Sequence, residues 1–428
     1  MLLGSDVLAR LLLGPIQLVT VEVMNNCSLS NGSLRIQLWS YNFDPEPTGI
    51  GIVSTVWARG LRDRGHRIEV VAAHPHYPEP MWGRRLRPYR EDRDGISVLR
   101  LPLWIGRASA AERYRQELTF MAAQAVVTPF LARPDVQVSV SPSFPALLPA
   151  LLNVRTRRIP WVLWLHDLLP DGAAATGLLD EGGAVVKLSR RLELAAYRAA
   201  DRIVVLSRAF TENLRGKDVP DDKINLIYDP ATRTPTATAQ PGRAGGGLRI
   251  LSMGNIGHSQ GLTELVRAFE AHPALDATLV ITGTGVAADD ARAEIRSDRV
   301  EMLGVVDDDR LEHELRAADI AFVSQRYDGS EFNIPSKLMN FMMYGLPVLA
   351  AVNPGGEVAR IVRESGAGWV VNSSGPDTFP SELERLSTAL DELRERAMAA
   401  RRYAEQNFAQ DAFAEHFERV LEAAAGRG

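Results

Sequence analysis

Short apolar runs and longer amphipathic stretches alternate along most of the 428-residue chain. Trp161–Leu165 and Ile203–Leu206 are continuous in apolar residues, as strands buried on both faces tend to be, and Arg35–Trp39, Ile68–Ala73 and Val136–Val140 are apolar runs that carry one or two polar residues each. Between them the periodicity lengthens to that of a helix, ending near Arg64, starting again at Ala146, and running through Ala200. Strands separated by helices in this way predict a parallel, doubly wound α/β sheet. Residues 230–247 carry Pro, Thr, Ala and Gly without a hydrophobic period and are expected to be a linker. The alternation then restarts with Leu248–Met253, a helix from about Leu262, Thr278–Thr282, Val300–Leu303, a helix Leu311–Ala318, and Ile320–Ser324. Two Rossmann-like domains follow, 34–229 and 248–400, with a C-terminal helix in 401–428 expected to cross back to the first. Residues 1–33 break the pattern, and Met24 is a candidate start that would make the first 23 residues an extension. They are no membrane span, because Asp6 and Arg10 interrupt the apolar stretch.

Glu331–Ala351 stands out as loop, helix and strand in one stretch. Ser336 occupies a predicted N-cap, Lys337 and Asn340 lie three apart on one helical face, and Gly345 with Pro347 is a stop signal. Both polar side chains are expected to face outward from a helix start, where unpaired N–H groups and the dipole favour an anionic or hydroxyl-rich ligand. Gly49-Ile50-Gly51 follows the first strand, and Gly254–Gly261 follows the first strand of the second half. Glycines at such turns let a ligand approach the backbone. The dinucleotide spacing is absent, which argues against a dehydrogenase. His166-Asp167 ends a strand, the end at which doubly wound sheets bind ligands.

Charge and cysteine content narrow the classes. A net charge of −5 gives no overall attraction to nucleic acid. The single Cys27 excludes an intrachain disulfide framework and fits a reducing cytosol. His74 and His76 lack further ligands at a zinc spacing, and Asp307-Asp308-Asp309 reads as a helix N-cap with no metal. Arg84, Arg85, Arg87 and Arg90 interleave with Trp82 and Tyr89, and Arg155, Arg157 and Arg158 precede Trp161. Solvated loops account for these clusters, with peripheral contact to an anionic membrane as the sharper alternative.

In combination and in order, Pro47–Gly51, His74–Pro78, Leu165–Leu168, Gly254–Gly257 and Pro335–Lys337 through Gly345–Val348 resemble the retaining nucleotide-sugar glycosyltransferases of family 4, closest to the exopolysaccharide and colanic-acid type. That resemblance implies a GT-B fold, with two facing Rossmann-like domains and a cleft between them. It implies a metal-independent hexosyltransferase without cofactor, using a UDP- or GDP-sugar as donor and a glycan, lipid-linked or small-molecule acceptor, in the cytoplasm or at the inner membrane face. By the same resemblance His166 and Asp167 serve catalysis. Gly49, Gly51, Gly254, Asn255, Gly257, Gln260, Arg326, Ser336, Lys337 and Asn340 would hold the donor, Asn340 standing where the family has a ribose-binding glutamate. Asn255, Gln260, Phe332 and Asn340 depart from charged family positions. Lys337 and Arg326 are the cations available to compensate. A non-hydrolysing sugar-nucleotide epimerase and a catalytically silent partner subunit are the rival readings.

Overall fold

The computed structural model describes residues 32–78, 81–83, 85–106, 109–141, 145–167, 184–242, 247–325, 334–372 and 378–426. The chain divides into two compact units. The first takes in residues up to Val205, Arg215–Asn225 and Ala414–Gly428, and the second takes in Leu206–Leu214 and Leu226–Phe413.

The first unit opens with β1 (Arg35–Ser40), α1 (Gly49–Asp63), β2 (Arg67–Ala73), and the hairpin β3 (Tyr89–Arg93) and β4 (Ile96–Leu101). It continues through α2 (Ala110–Val127), β5 (Val136–Ser141), α3 (Leu147–Arg157), β6 (Trp161–Leu165), α4 (Ala184–Ala199) and β7 (Arg202–Val205). After α5 (Arg208–Arg215), which belongs to the second unit up to Leu214, comes the short β8 (Ile224–Leu226). The eight strands are ordered β3-β4-β2-β1-β5-β6-β7-β8, with β3 antiparallel to β4. The apolar runs fill the sheet as expected: Ile36, Leu38, Val138, Leu163 and Trp164 are fully buried. Each such side chain contributes about 1.5–3 kcal/mol of transfer free energy. The edge hairpin escaped the sequence reading because Tyr89–Arg93 is almost wholly polar and only half-buried.

The second unit holds β9 (Leu248–Met253), α6 (Leu262–Glu270), β10 (Ala277–Thr282), α7 (Ala288–Ala293), β11 (Val300–Gly304), α8 (Asp308–Ala317) and β12 (Ile320–Ser324). It continues with α9 (Ser336–Met343), β13 (Val348–Val352), α10 (Glu357–Ser365), β14 (Gly368–Asn372), α11 (Thr378–Ser387), α12 (Leu390–Asn407) and the start of α13 (Gln410–Ala424), up to Phe413. The six-stranded sheet runs β11-β10-β9-β12-β13-β14, and every recorded pairing is parallel. From Ala414 onward α13 belongs to the first unit, where Phe417 meets Trp57 and Trp164 edge-on at 5.6 and 4.9 Å.

Residues 230–242, expected to be a linker, run along the second unit and are tied to it. Ala231 N donates to Phe408 O, Ala239 N to Tyr344 O, and Thr236 Oγ1 to Glu312 at 2.7 Å. Low hydrophobicity there reflects backbone hydrogen bonding to a helical surface rather than freedom.

Each sheet has one place where the connections diverge. In the first unit α1 carries the chain from β1 toward β2, while α3 carries it from β5 the other way; in the second, α6 and α9 diverge from β9 and β12 in the same manner. Right-handed crossovers then put the two helices on opposite faces and open a crevice at the carboxyl ends of the paired strands.

Candidate functional site: the strand ends of the two units

In the first unit the loop after β1 is built to hold its shape. Thr48 caps α1, its Oγ1 accepting from Gly51 N at 3.1 Å. A Cβ on Gly51 would come within 2.9 Å of both Glu46 O and Thr48 Oγ1, so this glycine serves the loop's own packing. Gly49 has nothing within 4 Å of where a Cβ would be and is the glycine whose backbone stays open to a ligand. Glu46 is buried and accepts from the backbone N–H groups of His76 and Tyr77, both at 2.9 Å, and from Asn42 Nδ2 at 3.1 Å. His76 Nδ1 lies 3.2 Å from the same carboxylate. The fully buried Arg100 donates to Asp44 O, to Ala73 O at 3.3 Å and to Glu91 at 2.8 Å. The His74–Pro78 motif is thus a brace between two strand-end loops.

His166, directly after β6, is buried with its ring 4.7 Å from that of Trp164. Burial drives its pKa down to about 3, so the imidazole is neutral at physiological pH. It can exchange hydrogen bonds with a hydroxyl but cannot act as a cationic acid. Asp167 is half-buried, and desolvation raises its pKa.

In the second unit the loop after β9 nests on the loop after β10. Gly254, at φ +103°, donates to Thr282 O, and Ile256 N to Thr284 O, both at 3.0 Å. A Cβ on Gly283 would lie 1.9 Å from Gly254 O, and one on Gly285 would lie 2.4 Å from Ile256 O. Sequence reading missed these two supporting glycines; the signal was Gly283-Thr284-Gly285 at the end of a strand. Gly254 has open space where its Cβ would be, and Asn255 is exposed. Gln260, expected to face the donor, turns inward: its Oε1 accepts from Gly257 N at 2.8 Å. Gly257 is small because that amide fills the space, 2.7 Å from where its Cβ would be.

Helix α9 departs from expectation in three ways. Pro335, with no side-chain cap, takes the N-cap position, and Ser336 is the exposed first residue of the helix. Asn340 faces inward: its Oδ1 accepts from Arg233 N at 3.1 Å, and its Nδ2 donates to Thr232 Oγ1 at 3.2 Å. It ties residues 232 and 233 to the helix instead of presenting an amide to a ribose. Lys337 retains partial exposure, but its ammonium is desolvated enough to lower the pKa to about 8. No hydrogen bond or ion pair joins it among the described residues. A cation with no partner among the described residues, at a helix N-terminus that follows β12, is the kind of group an anion would neutralise. Ser324 Oγ, at the end of β12, is buried without a hydrogen-bond partner among the described residues, a further polar group unnoticed in the sequence. The helix ends as expected, with Gly345 at φ +71°.

Asp307 caps α8, its carboxylate accepting from Arg310 N at 2.8 Å. Arg326, Glu331, Phe332 and residues 1–31 lie outside the described residues. A cavity of about 340 Å³ lined by His258, Glu264, Arg267, Asp290 and Glu294 opens beside the Gly254 loop, but its carboxylates would repel a diphosphate.

Residues 48–229 match the Glycosyl transferase 4-like domain and residues 247–389 match the Glycosyl transferases group 1 domain. WbjE of Pseudomonas aeruginosa, named as a glycosyltransferase, is 26% identical over 54% of this chain, a match that spans 60% of that relative's length. WcaI of Escherichia coli, named for colanic acid biosynthesis, is also 26% identical, over 73% of this chain and 82% of its own. Among solved structures, Anabaena HepE in complex with UDP and glucose superimposes with a TM-score of 0.62 at 15% identity, over 91% of this chain and all of that one.

Proposed function

Because the chain belongs to the group 1 glycosyltransferases with the GT-B fold and is related to those of the colanic acid type, we propose that it moves a sugar from a UDP- or GDP-sugar to a glycan, lipid-linked or small-molecule acceptor, with retention of configuration. The observation that carries the donor half is Lys337, a desolvated ammonium with no partner among the described residues, at the start of α9. The donor diphosphate supplies the missing charge. Gly254, with open space where a Cβ would be, leaves room for close approach, and the backbone N–H of Asn255 receives the same phosphates. Gln260, Gly257 and Asn340 act one step back, by holding the loop and the helix in place.

In this reading the acceptor oxygen bonds to the anomeric carbon as the carbon–oxygen bond to the β-phosphate breaks on the same face. The acceptor proton passes to the departing phosphate oxygen. The protein supplies orientation and charge, and removing one such contact costs about 10²–10³ in rate. On the first unit, neutral His166 is suited to a sugar hydroxyl, and Gly49 offers open backbone to the donor. The wild-type chain should show a thermal shift with UDP or GDP, and a donor panel read by mass spectrometry should show transfer to an added acceptor. Absence of any nucleotide diphosphate binding would overturn this reading. Conversion of donor to its epimer without acceptor would reassign the chemistry.

A further inference from the structure

Two aromatic rings stand exposed at the carboxyl edge of the first unit's sheet, on backbone that is fixed in place. Leu101 ends β4 and His74 follows the neighbouring strand β2, and His74 N donates to Leu101 O at 2.7 Å. Three residues beyond each of these partners comes a large ring, Tyr77 on one loop and Trp104 on the other. Tyr77 is 40% exposed and Trp104 38%. Leu101 and Leu103 are buried beside them, so the core closes without the indole.

Polar bonds set both positions. Tyr77 N donates to Glu46 at 2.9 Å, and Tyr77 O accepts from Trp82 Nε1 at 3.0 Å. Trp104 N donates to Thr119 Oγ1 at 2.9 Å, and Gly106 N to Gln116 Oε1 at 3.1 Å. The buried Gln116 amide in turn donates to the hydroxyl of Tyr41, directly after β1, at 2.6 Å. The Tyr41 ring meets His76 edge-on at 4.8 Å. Helix α2 and the loops after β1, β2 and β4 are thus one network, and neither ring needs ordering when a ligand arrives. The Arg115 guanidinium covers one face of the Trp104 indole, 3.8 Å from the ring centroid. Arg115 is exposed and pairs with no carboxylate among the described residues. The exposure of Trp104 therefore belongs to its other face and its edges. A single exposed ring is ordinary. Two fixed rings, one backed by a guanidinium with donors to spare, at the edge where doubly wound sheets take ligands, are not.

We propose that Trp104, backed by Arg115 and joined by Tyr77 on the next loop, is a platform for a sugar of the acceptor remote from the point of transfer, so that the acceptor is an oligosaccharide chain. A flat apolar face with hydrogen-bond donors at its margin matches a pyranose ring, which shows C–H groups on a face and hydroxyls around its equator. The proposal rests on the transfer reading above, with His166 at the transferred sugar. The strand order β4-β2-β1-β5-β6 puts four interstrand steps between the loop after β4 and His166, about 19 Å at about 4.8 Å per step. One sugar cannot reach both places. A chain of several sugars lying across the strand ends can. Among glycan, lipid-linked and small-molecule acceptors, this selects a glycan chain, free or carried on a lipid, over a small molecule.

The test is fluorine NMR of the full chain labelled with fluorotryptophan, in which the Trp104 signal among the seven tryptophans is identified by its loss in Trp104→Phe. Cellotetraose, maltotetraose and chitotetraose are the probes, with glucose, N-acetylglucosamine and uridine as comparisons. The Trp104 signal should move with at least one tetrasaccharide, at a concentration well below that at which either monosaccharide moves it. Saturation transfer to the tetrasaccharide protons should show binding weakened roughly 3- to 10-fold in Trp104→Ala, the worth of one aromatic stack, and less in Trp104→Phe, which keeps a ring. All variants change an exposed position and should keep the parent's thermal midpoint and its affinity for UDP or GDP. Three results would each overturn the proposal: a Trp104 signal that no tetrasaccharide moves, equal tetrasaccharide binding by the parent and Trp104→Ala, or a larger response to uridine than to any tetrasaccharide. Nucleotide binding separates this outcome from the transfer reading. A chain that binds UDP or GDP while Trp104 ignores every tetrasaccharide loses the platform alone, whereas one that binds a tetrasaccharide at Trp104 but no nucleotide diphosphate keeps the platform and loses transfer.

Discussion

Replacing Lys337 by Met separates what this residue does for the fold from what it does for a ligand. Met keeps the aliphatic stem and removes the charge. The ammonium's pKa falls from 10.5 to about 8 through desolvation. At about 1.36 kcal/mol per unit this bounds the penalty near 3 kcal/mol, and the side chain's partial exposure lowers it to roughly 1–2 kcal/mol. Below pH 8 the lysine is protonated in both folded and unfolded states, so the penalty is full there. Between 8 and 10.5 the folded state gives up the proton first and the penalty fades, so wild-type stability should rise across that window. Lys337→Met should therefore raise the thermal midpoint at neutral pH by a few degrees, at about 2–4 °C per kcal/mol, and the gain should shrink above pH 8. Binding moves the other way. A charge-assisted bond to phosphate is worth about 1.5–3 kcal/mol, so calorimetric affinity for UDP or GDP should fall roughly 10- to 150-fold. Wild-type affinity should be flat below pH 8 and decline above it, and the variant should lose that decline. A Met variant that binds nucleotide diphosphate as tightly as the parent, with an unchanged pH profile, would refute the reasoning.

Other outcomes follow from the loops and the buried polar groups. Gly283→Ala pushes a methyl to 1.9 Å from Gly254 O, at a backbone angle of +119°, and should cost about 2–4 kcal/mol in chemical denaturation together with nucleotide binding. Gly49→Ala, which meets nothing within 4 Å, should stay within about 0.5 kcal/mol of the parent in stability while slowing transfer. Asn340→Ala should destabilise by about 1–3 kcal/mol because Arg233 N and Thr232 lose their partner, with nucleotide affinity unchanged; a loss of affinity alone would restore the ribose role. Since His166 is neutral down to about pH 3, the transfer rate should show no histidine inflection between pH 5 and 8, which a pH–rate profile measures directly.

Much of this was legible in the sequence, because burial on both faces forces a strand such as Trp161–Leu165 to be apolar throughout and its flanking helices to keep their period. Turn chemistry was legible for the same local reason. Asp307 before α8 and Gly345 after α9 obey constraints a few residues long. The roles of individual polar side chains were not, since those depend on which distant segment folds against them. Asn340 and Lys337 share one face by spacing, yet residues 232 and 233 arrive to satisfy the amide while nothing described arrives for the ammonium. Gln260 stands where a ligand-facing residue would, but its own loop curls back to use it. Gly283 is an ordinary turn glycine until Gly254 O comes within contact of it. The outward apolar arc of α2 has the spacing of a core helix; only packing decided that Gln116 and Gln124 would turn inward and Leu118 outward. Composition and period fix which elements form, because those energies are local, whereas the partner of each polar group is set by contacts between residues far apart in the chain.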